Sequence, residues 1–247
     1  MSAVRSCEVP GVAVAPGDVR RESLLTARQR AYLAARRPVE VLLSVLLLVL
    51  ALPVLIVLAV AIMVDSPGGP LFRQERVGRD GRLFTIFKLR SMVRDAPPYM
   101  AKVAADDRLV TRVGGLLRLS GLDELPQLIN VIRGDLNLIG PRPEMPFIVA
   151  AFEPWQHRRH ELRPGITGWW QIHHRSGDPL HLAIEEDLHY ARNLGPVMDL
   201  RIVTATVWVM FRGATDAIVR GWRKRRAPRP ALRRDPEPHP IAALVED

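Results

Sequence analysis

The distribution of apolar and polar positions divides this chain into one long apolar run and a series of short segments with ordinary patterning. From Val41 to Val64 no residue is charged, and only Ser44 is clearly polar. As a straight helix the run would be about 36 Å long, enough for a bilayer core of about 30 Å. A buried soluble helix is rarely apolar all round, so a membrane segment is predicted. The run starts too late, is too long and lacks the small-residue cleavage site of a removable signal peptide. Pro53 stands in its middle and removes one backbone hydrogen bond. Both flanks are basic. Arg28, Arg30, Arg36 and Arg37 precede the run, and Arg73, Arg76, Arg79, Arg82, Lys88 and Arg90 follow it. Positive flanks favour the cytoplasmic side. The prediction is a helix-break-helix that enters and leaves one leaflet, with Pro53 at the membrane bend. A proline-kinked spanning helix is the alternative.

Beyond the run, alternation over Leu71–Val77 and Leu83–Leu89 predicts two strands, joined at Arg79-Asp80-Gly81-Arg82 by a hairpin turn with the favoured Asp-Gly pair. Residues 109–119 are predicted helical. So are 123–132, where Leu125, Leu128, Ile129 and Ile132 recur at helical spacing. Residues 155–162 and 180–194 read as a short polar and a longer amphipathic helix. Residues 199–217 read as an interfacial helix on the membrane, with a buried core helix as the alternative. The ends are irregular. Residues 1–20 read as a loose tail and 23–37 as a basic surface helix, while 220–247, rich in Arg and Pro, read as a disordered basic tail. The predicted organisation is a leader segment (1–35), a membrane segment (36–65), a cytoplasmic domain (66–219) and a tail (220–247). The predicted fold class is α/β, mostly α: a membrane helix-break-helix plus a small α/β domain with a β-hairpin and interfacial amphipathic helices.

Charge narrows the partners. A net charge of +9 and a pI of about 10.8 imply an anionic partner. Three Tyr and six Phe supply few stacking platforms, and no nucleic-acid motif is present, so nucleic acid is not expected. The single Cys7 excludes an intramolecular disulfide and a cysteine-based zinc site. His173, His174 and His181 have neither a Cys partner nor an i, i+4 pair among them, which argues against zinc.

The chemistry concentrates in two segments. Leu122-Asp123-Glu124-Leu125-Pro126-Gln127 sets two adjacent carboxylates in an apolar run, and Gly140-Pro141-Arg142-Pro143-Glu144 holds an Arg between prolines. Adjacent carboxylates repel unless a cation or proton sits with them. A backbone-restricted Arg suits a phosphate fork. Lys88 and Arg90, two apart on a strand, share one face, and Arg118 lies five residues before Asp123. Arg163-Pro164-Gly165 begins a rigid turn that could line a nucleotide pocket. Taken in order, Lys88-Leu89-Arg90-Ser91-Met92, Thr111-Arg112-Val113-Gly114, Asp123-Glu124-Leu125-Pro126-Gln127, Arg133-Gly134-Asp135, Gly140-Pro141-Arg142-Pro143-Glu144 and Arg163-Pro164-Gly165-Ile166-Thr167-Gly168 resemble the bacterial sugar transferase family, the small monotopic phosphoglycosyl transferases. The resemblance runs from about Arg36 to about Gly213.

It implies the re-entrant membrane hairpin and a two-step displacement. Asp123 attacks the β-phosphorus of a nucleoside diphosphate sugar, typically UDP-linked, and UMP leaves. A polyprenyl phosphate then takes the phosphosugar from the carboxylate, which begins lipid-linked glycan, exopolysaccharide or lipopolysaccharide synthesis. Asp123 and Glu124 are the catalytic candidates, and Glu124 is the candidate ligand for Mg2+. Lys88, Arg90, Arg118, Arg142 and Arg163 are the phosphate- and nucleotide-binding candidates. The expected partners are a nucleotide-sugar, polyprenyl phosphate and the inner membrane, with the catalytic domain cytoplasmic; a homodimer is compatible with this. Three sites depart from the family pattern: Glu40 replaces an Asp after the basic pair, Gly121 stands where Ser often precedes Leu-Asp-Glu, and Ile172-His173-His174-Arg175 replaces Val-Asn-Gly-Arg. The alternatives are a non-enzymatic membrane adaptor, which needs neither Asp123 nor Glu124, and a membrane-tethered nucleic-acid binder.

Overall fold

The computed structural model describes residues 23–96, 109–173 and 184–208. The predicted tails 1–20 and 220–247, along with His174, Arg175 and His181, lie outside the described residues.

The apolar run belongs to one uninterrupted helix, α1 (Ala27–Asp65), 39 residues and about 58 Å long. This corrects two expectations. The basic surface helix is the first part of α1 rather than a separate element. The helix also continues through Pro53, as it does through Pro38, so the predicted break is not there. A proline deletes one hydrogen bond, and the turns on either side can carry the helix across that gap. Thr26 starts α1 with a capping box: its hydroxyl accepts from Gln29 N–H, and the Gln29 side-chain oxygen accepts from Thr26 N–H at 2.9 Å. Along α1 one stripe is covered at alternating steps of four and three: Arg37, Val41, Ser44, Leu48, Ala51, Leu55, Leu58, Ile62 and Asp65. The opposite surface, including Leu42, Leu46, Val49, Leu50, Leu52, Ile56 and Val57, is exposed and apolar.

The small α/β domain holds α1 at both ends. Near the start, Arg36 ion-pairs with Asp199 and Glu40, and also donates to the Tyr190 hydroxyl and the Ile139 carbonyl, both at 3.0 Å. Arg37 donates to the carbonyls of Val131 and Leu136. The Glu40 carboxylate accepts from Leu138 N–H at 3.1 Å. At the other end Ile62 packs on Leu89 and Leu117, and the Asp65 carboxylate accepts from Val113 N–H at 2.9 Å.

Strands β1 (Leu71–Val77) and β2 (Leu83–Leu89) form the predicted hairpin with the predicted boundaries. Its turn places Asp80 (φ 56°) and Gly81 (φ 75°) in the left-handed region that this pair tolerates. Helix α2 (Arg112–Ser120) is capped by the Thr111 hydroxyl. Helix α3 (Gln127–Arg133) follows, then β3 (Asn137–Ile139), α4 (Pro146–Ala150), β4 (Gly165–Thr167), α5 (Trp169–His173), α6 (Ile184–Arg192) and a last helix, α7, over residues 196–208. The parallel pair β3–β4 brings the Gly-Pro-Arg-Pro segment beside the Arg-Pro-Gly segment. The approach is so close that a Cβ on Gly165 would collide with the Gly140 nitrogen. The predicted polar helix is a 3₁₀ turn over Gln156–Glu161. Helix α7 buries Met198 and Ile202 against Leu25, Tyr190 and Leu194, and exposes Val197, Leu200, Val207 and Trp208. Its described part thus has the buried face of the core-helix reading and an exposed apolar face opposite it.

Asn130 ties α3 to the hairpin. Its side chain is fully buried, and its amide behaves as a missing strand neighbour on the free edge of β2. Oδ1 accepts from Phe87 N–H at 3.1 Å, while Nδ2 donates to Thr85 C=O at 2.7 Å and to the Asp135 carboxylate at 3.0 Å. Removing it leaves two partly buried backbone groups without this partner, and an unpaired buried group costs about 1–3 kcal/mol. Asn130→Ala is therefore expected to destabilise the protein by about 3 kcal/mol. Denaturant unfolding in detergent measures this, and a change under about 1 kcal/mol would refute it.

Candidate active site

The carboxylate pair sits at a junction. Gly121, with φ of 73°, ends α2 in the left-handed conformation. Leu122–Glu124 then form a single 3₁₀ turn. The helix predicted from Asp123 starts only at Gln127, with Pro126 immediately before it. Asp123 and Glu124 thus precede α3 on a turn of their own.

Lys88 comes from the inward face of β2 and pairs with Glu124, Nζ to Oε1 at 2.9 Å, with 19% of the Lys88 and 25% of the Glu124 side chain open to solvent. Arg142 lies over the ring of Trp170, 4.7 Å from its centroid. A cleft is lined by Lys88, Glu124, Arg142, Arg76, Gln127 and Trp170. The two carboxylates differ electrostatically. Burial pushes Asp123 up to about 6; Lys88 and Arg118 oppose the rise and the neighbouring Glu124 adds to it. Burial pushes on Glu124 as well, but the charges of Lys88 and Arg142 and hydrogen bonds from Lys88 and Gln127 hold it below the usual carboxylate range. Asp123 makes no salt bridge among the described residues.

The predicted basic residues therefore separate. Lys88 and Arg142 reach the cleft. Arg118 donates from Nε to Ser91 Oγ at 2.9 Å, and its charge reaches Asp123 without a direct bond. Arg90 does not share the site. Its guanidinium is turned onto the carbonyls of Ser66, Pro67 and Gly68, where it fastens the chain leaving α1, and it is 8% exposed. Strand alternation places it with Lys88, but β2 ends at Leu89, so the alternation no longer governs it. Arg163 is also elsewhere: it donates to Asn137 Oδ1 at 3.2 Å, and its charged neighbours are Arg37, Arg79, Glu40 and Asp135. Of that segment, Gly165 and Ile166 reach the cleft. Three lining residues go beyond the sequence expectation. Arg76 enters there only as a flanking charge, and Gln127 and Trp170 have no role in it. The signal for Arg76 is present in the sequence, since period two puts Phe72, Gln74 and Arg76 on one face of β1.

The family model described as bacterial sugar transferase matches residues 31–213. The chain belongs to the bacterial sugar transferase family. It is 39% identical over 189 residues to an Aeromonas hydrophila UDP-N-acetylgalactosamine-undecaprenyl-phosphate N-acetylgalactosaminephosphotransferase, covering 74% of this chain and 45% of that protein. It is 38% identical over 188 residues to the UDP-glucose:undecaprenyl-phosphate glucose-1-phosphate transferase of Escherichia coli K12, covering 71% and 40%. A Caulobacter vibrioides protein with the latter name is 40% identical over 181 residues, covering 70% and 68%. The chain thus spans less than half the length of the first two relatives and about two thirds of the third.

The raised Asp123 carboxyl has a signed consequence. Its ordinary value is 3.8 and its folded value about 6, so ionisation opposes folding. The favourable contribution is complete below pH 3.8 and is lost as pH rises through 6. In Asp123→Asn the side chain stays neutral throughout. The variant is therefore expected to gain stability relative to the parent as pH rises from 4 to 7, with a constant difference above that. Paired thermal unfolding curves in detergent test this; a difference independent of pH would refute it.

Proposed function

We propose that the chain transfers a sugar phosphate from a nucleoside diphosphate sugar, UDP-linked, to a polyprenyl phosphate at a membrane surface. One observation carries the reading: Glu124 lines a cleft with Lys88 and Arg142, and Asp123, unpaired among the described residues, precedes it on the same turn, in a domain fastened to a long apolar helix. Family membership and the relatives' printed names support the same reaction class.

In this reading an Asp123 carboxylate oxygen attacks the β-phosphorus of the bound nucleotide-sugar. The bond from that phosphorus to the bridging oxygen breaks, and UMP leaves with the electron pair. The phosphosugar remains on Asp123 as an acyl phosphate. An oxygen of the polyprenyl phosphate then attacks the same phosphorus and frees the carboxylate, giving a polyprenyl diphosphate sugar. Arg142 and Lys88 offset the diphosphate charge, and Trp170 holds the Arg142 guanidinium in place. Asp123, which no cation of the described residues neutralises by direct pairing, keeps its lone pairs for attack. Magnesium fits the donors present. No group of three acidic or histidine side chains forms a dedicated site among the described residues, and Mg2+ commonly takes one or two carboxylates with phosphate oxygens and water. Glu124, with Asp123 adjacent, would hold it, and the ion would supply charge compensation for the diphosphate. An adaptor has no use for a carboxylate in a basic cleft with a second one, unpaired among the described residues, beside it, which favours the enzyme.

Asp123→Asn is expected to abolish UMP release from UDP-sugars in the presence of undecaprenyl phosphate, at least 1,000-fold on the order of magnitude for loss of a covalent nucleophile, while the protein stays folded. Substantial residual release would remove Asp123 from the chemistry.

The basic flanks, and a domain that grips both ends of α1, support a topology with both ends in the cytoplasm. Single cysteines introduced near Arg28 and near Ser66, in a background lacking Cys7, are expected to resist a membrane-impermeant thiol reagent in intact spheroplasts and to react after lysis. Reaction near Arg28 from outside would establish a spanning helix instead.

A further inference from the structure

The loop Gly140–Glu144, which carries Arg142, is held by its carbonyls. Pro141 C=O accepts from Gly165 N–H at 2.8 Å, and Glu144 C=O accepts from Val77 N–H at 2.9 Å. Between them, Arg142 C=O accepts from Arg159 Nη2 at 2.6 Å and Pro143 C=O from Arg76 Nη1 at 3.2 Å. Four consecutive carbonyls are thus occupied, two by backbone and two by buried guanidinium groups. Arg76 lines the cleft itself, whereas Arg159 does not. Arg159 is 2% exposed, and the nitrogen that grips Arg142 also pairs with the Asp187 carboxylate at 2.6 Å; Asp187 is 3% exposed.

Stability is a poor reason for this arrangement. A buried ion pair roughly breaks even against well-packed apolar side chains of the same size. Geometry is a better reason. The prolines fix φ at 141 and 143, and Pro143 restricts Arg142 to extended backbone, but neither proline fixes ψ of Arg142 within that broad region. A donor on the Arg142 carbonyl does so, and it thereby fixes the direction in which the side chain leaves the loop toward Trp170 and Glu124.

We propose that Arg159, anchored by Asp187 on α6, is a positioning residue that aims Arg142 into the cleft. The proposal rests on the reading of Arg142 as the phosphate-binding cation. Asp187 and Arg159 act only through Arg142 and touch no substrate. Positional errors of about 1 Å can cost about 100-fold in rate, so losing the clamp is expected to be costly even in a well-folded protein.

The test removes the clamp without leaving a buried charge. Arg159→Met combined with Asp187→Leu replaces the pair by apolar side chains of similar length. Turnover of UDP-sugar with undecaprenyl phosphate and thermal unfolding are measured for this double variant, for Arg142→Ala and for the triple combination. The clamp-less protein is expected to unfold within a few degrees of the parent yet lose about 30-fold in kcat/KM. The loss should divide between kcat and KM as it does in Arg142→Ala. Once Arg142 is Ala, removing the clamp should change kcat/KM by less than about threefold. Arg159→Lys, which keeps the charge beside Asp187 but not the planar fork, should show a loss of the same kind and serves if the double variant does not fold. Parental kcat/KM in a folded clamp-less variant, or a clamp loss equally large after Arg142→Ala, overturns the positioning role. Unchanged turnover in Arg142→Ala itself overturns the underlying site reading, and the positioning role with it.

Discussion

The arrangement of this site depends on the side-chain amide of Asn130. The hairpin carries Lys88, and the chain entering α3 carries Asp123 and Glu124; without a register between them the cleft has no defined geometry. Asn130 supplies it by acting as one residue of a third strand, taking Phe87 N–H and Thr85 C=O on the free edge of β2. The next inward residue after Ile86 is Lys88, which then meets Glu124. The Asn130 carbonyl in turn receives the N–H groups of Gly134, Asp135 and Leu136, which close the end of α3. A single buried residue therefore sets the distance between the ammonium and the carboxylate. Such a network is worth having only when fully paired, and this amide uses both ends.

The same α3 is where the membrane helix is fastened. Arg37 donates to the carbonyls of Val131 and Leu136, closing the carboxy-terminal end of α3 and the chain beyond it from the outside. Arg36 reaches past it to Asp199 on α7 and to Ile139 on β3. Consecutive residues of one helix thus grip four elements of the domain, α6 being reached through the Tyr190 hydroxyl. The Arg36 network shares its cost among Glu40, Asp199 and the hydroxyls of Tyr32 and Tyr190, so charges taken out of water retain partners. The covered stripe that begins at Arg37 keeps its spacing to Asp65, which makes α1 a structural member of the domain as well as an apolar anchor.

What the sequence made legible follows physical scale. The hairpin was readable to its end residues because period-two alternation and an Asp-Gly turn are local. The apolar run was readable because a charge-free stretch long enough to cross a bilayer core is rare in a water-soluble fold. The continuity of α1 was not, because a proline in a helix records a lost hydrogen bond and leaves the response of the neighbouring turns open. Nor was the covered stripe, since protein-facing and lipid-facing positions are both apolar. Lys88, Glu124 and Arg142, which the structure gathers at one cleft, and the adjacent Asp123 all stand in the ordered motifs. Arg90 and Arg163 lie apart from that cleft, because a basic side chain in a motif can serve the backbone or a neighbouring amide as well as a phosphate. Arg90 serves three carbonyls at the end of α1, and only tertiary structure shows which carbonyls lie within reach. Arg76 was legible in principle: a charged residue on the inward face of a strand requires partners, and those of Arg76 include the loop that carries Arg142.

The inequality of the two carboxylates is the last link between fold and chemistry. Two adjacent acids in identical surroundings would titrate as a pair and neither would have a defined role. Here Lys88, Arg142 and Gln127 converge on Glu124 and keep it charged, while at Asp123 burial outweighs the more distant charges of Lys88 and Arg118 and the neighbouring Glu124 adds to the rise. In the proposed mechanism, pairing Lys88 with Asp123 instead would tie up the oxygens that attack phosphorus. The cations therefore occupy the acid that holds charge and leave the other acid open to react. The asymmetry arises from position: Glu124 follows Asp123 by one residue on a 3₁₀ turn and lies toward the strand that bears Lys88. The order of the two letters in the sequence, fixed against β2 by Asn130, assigns the two roles.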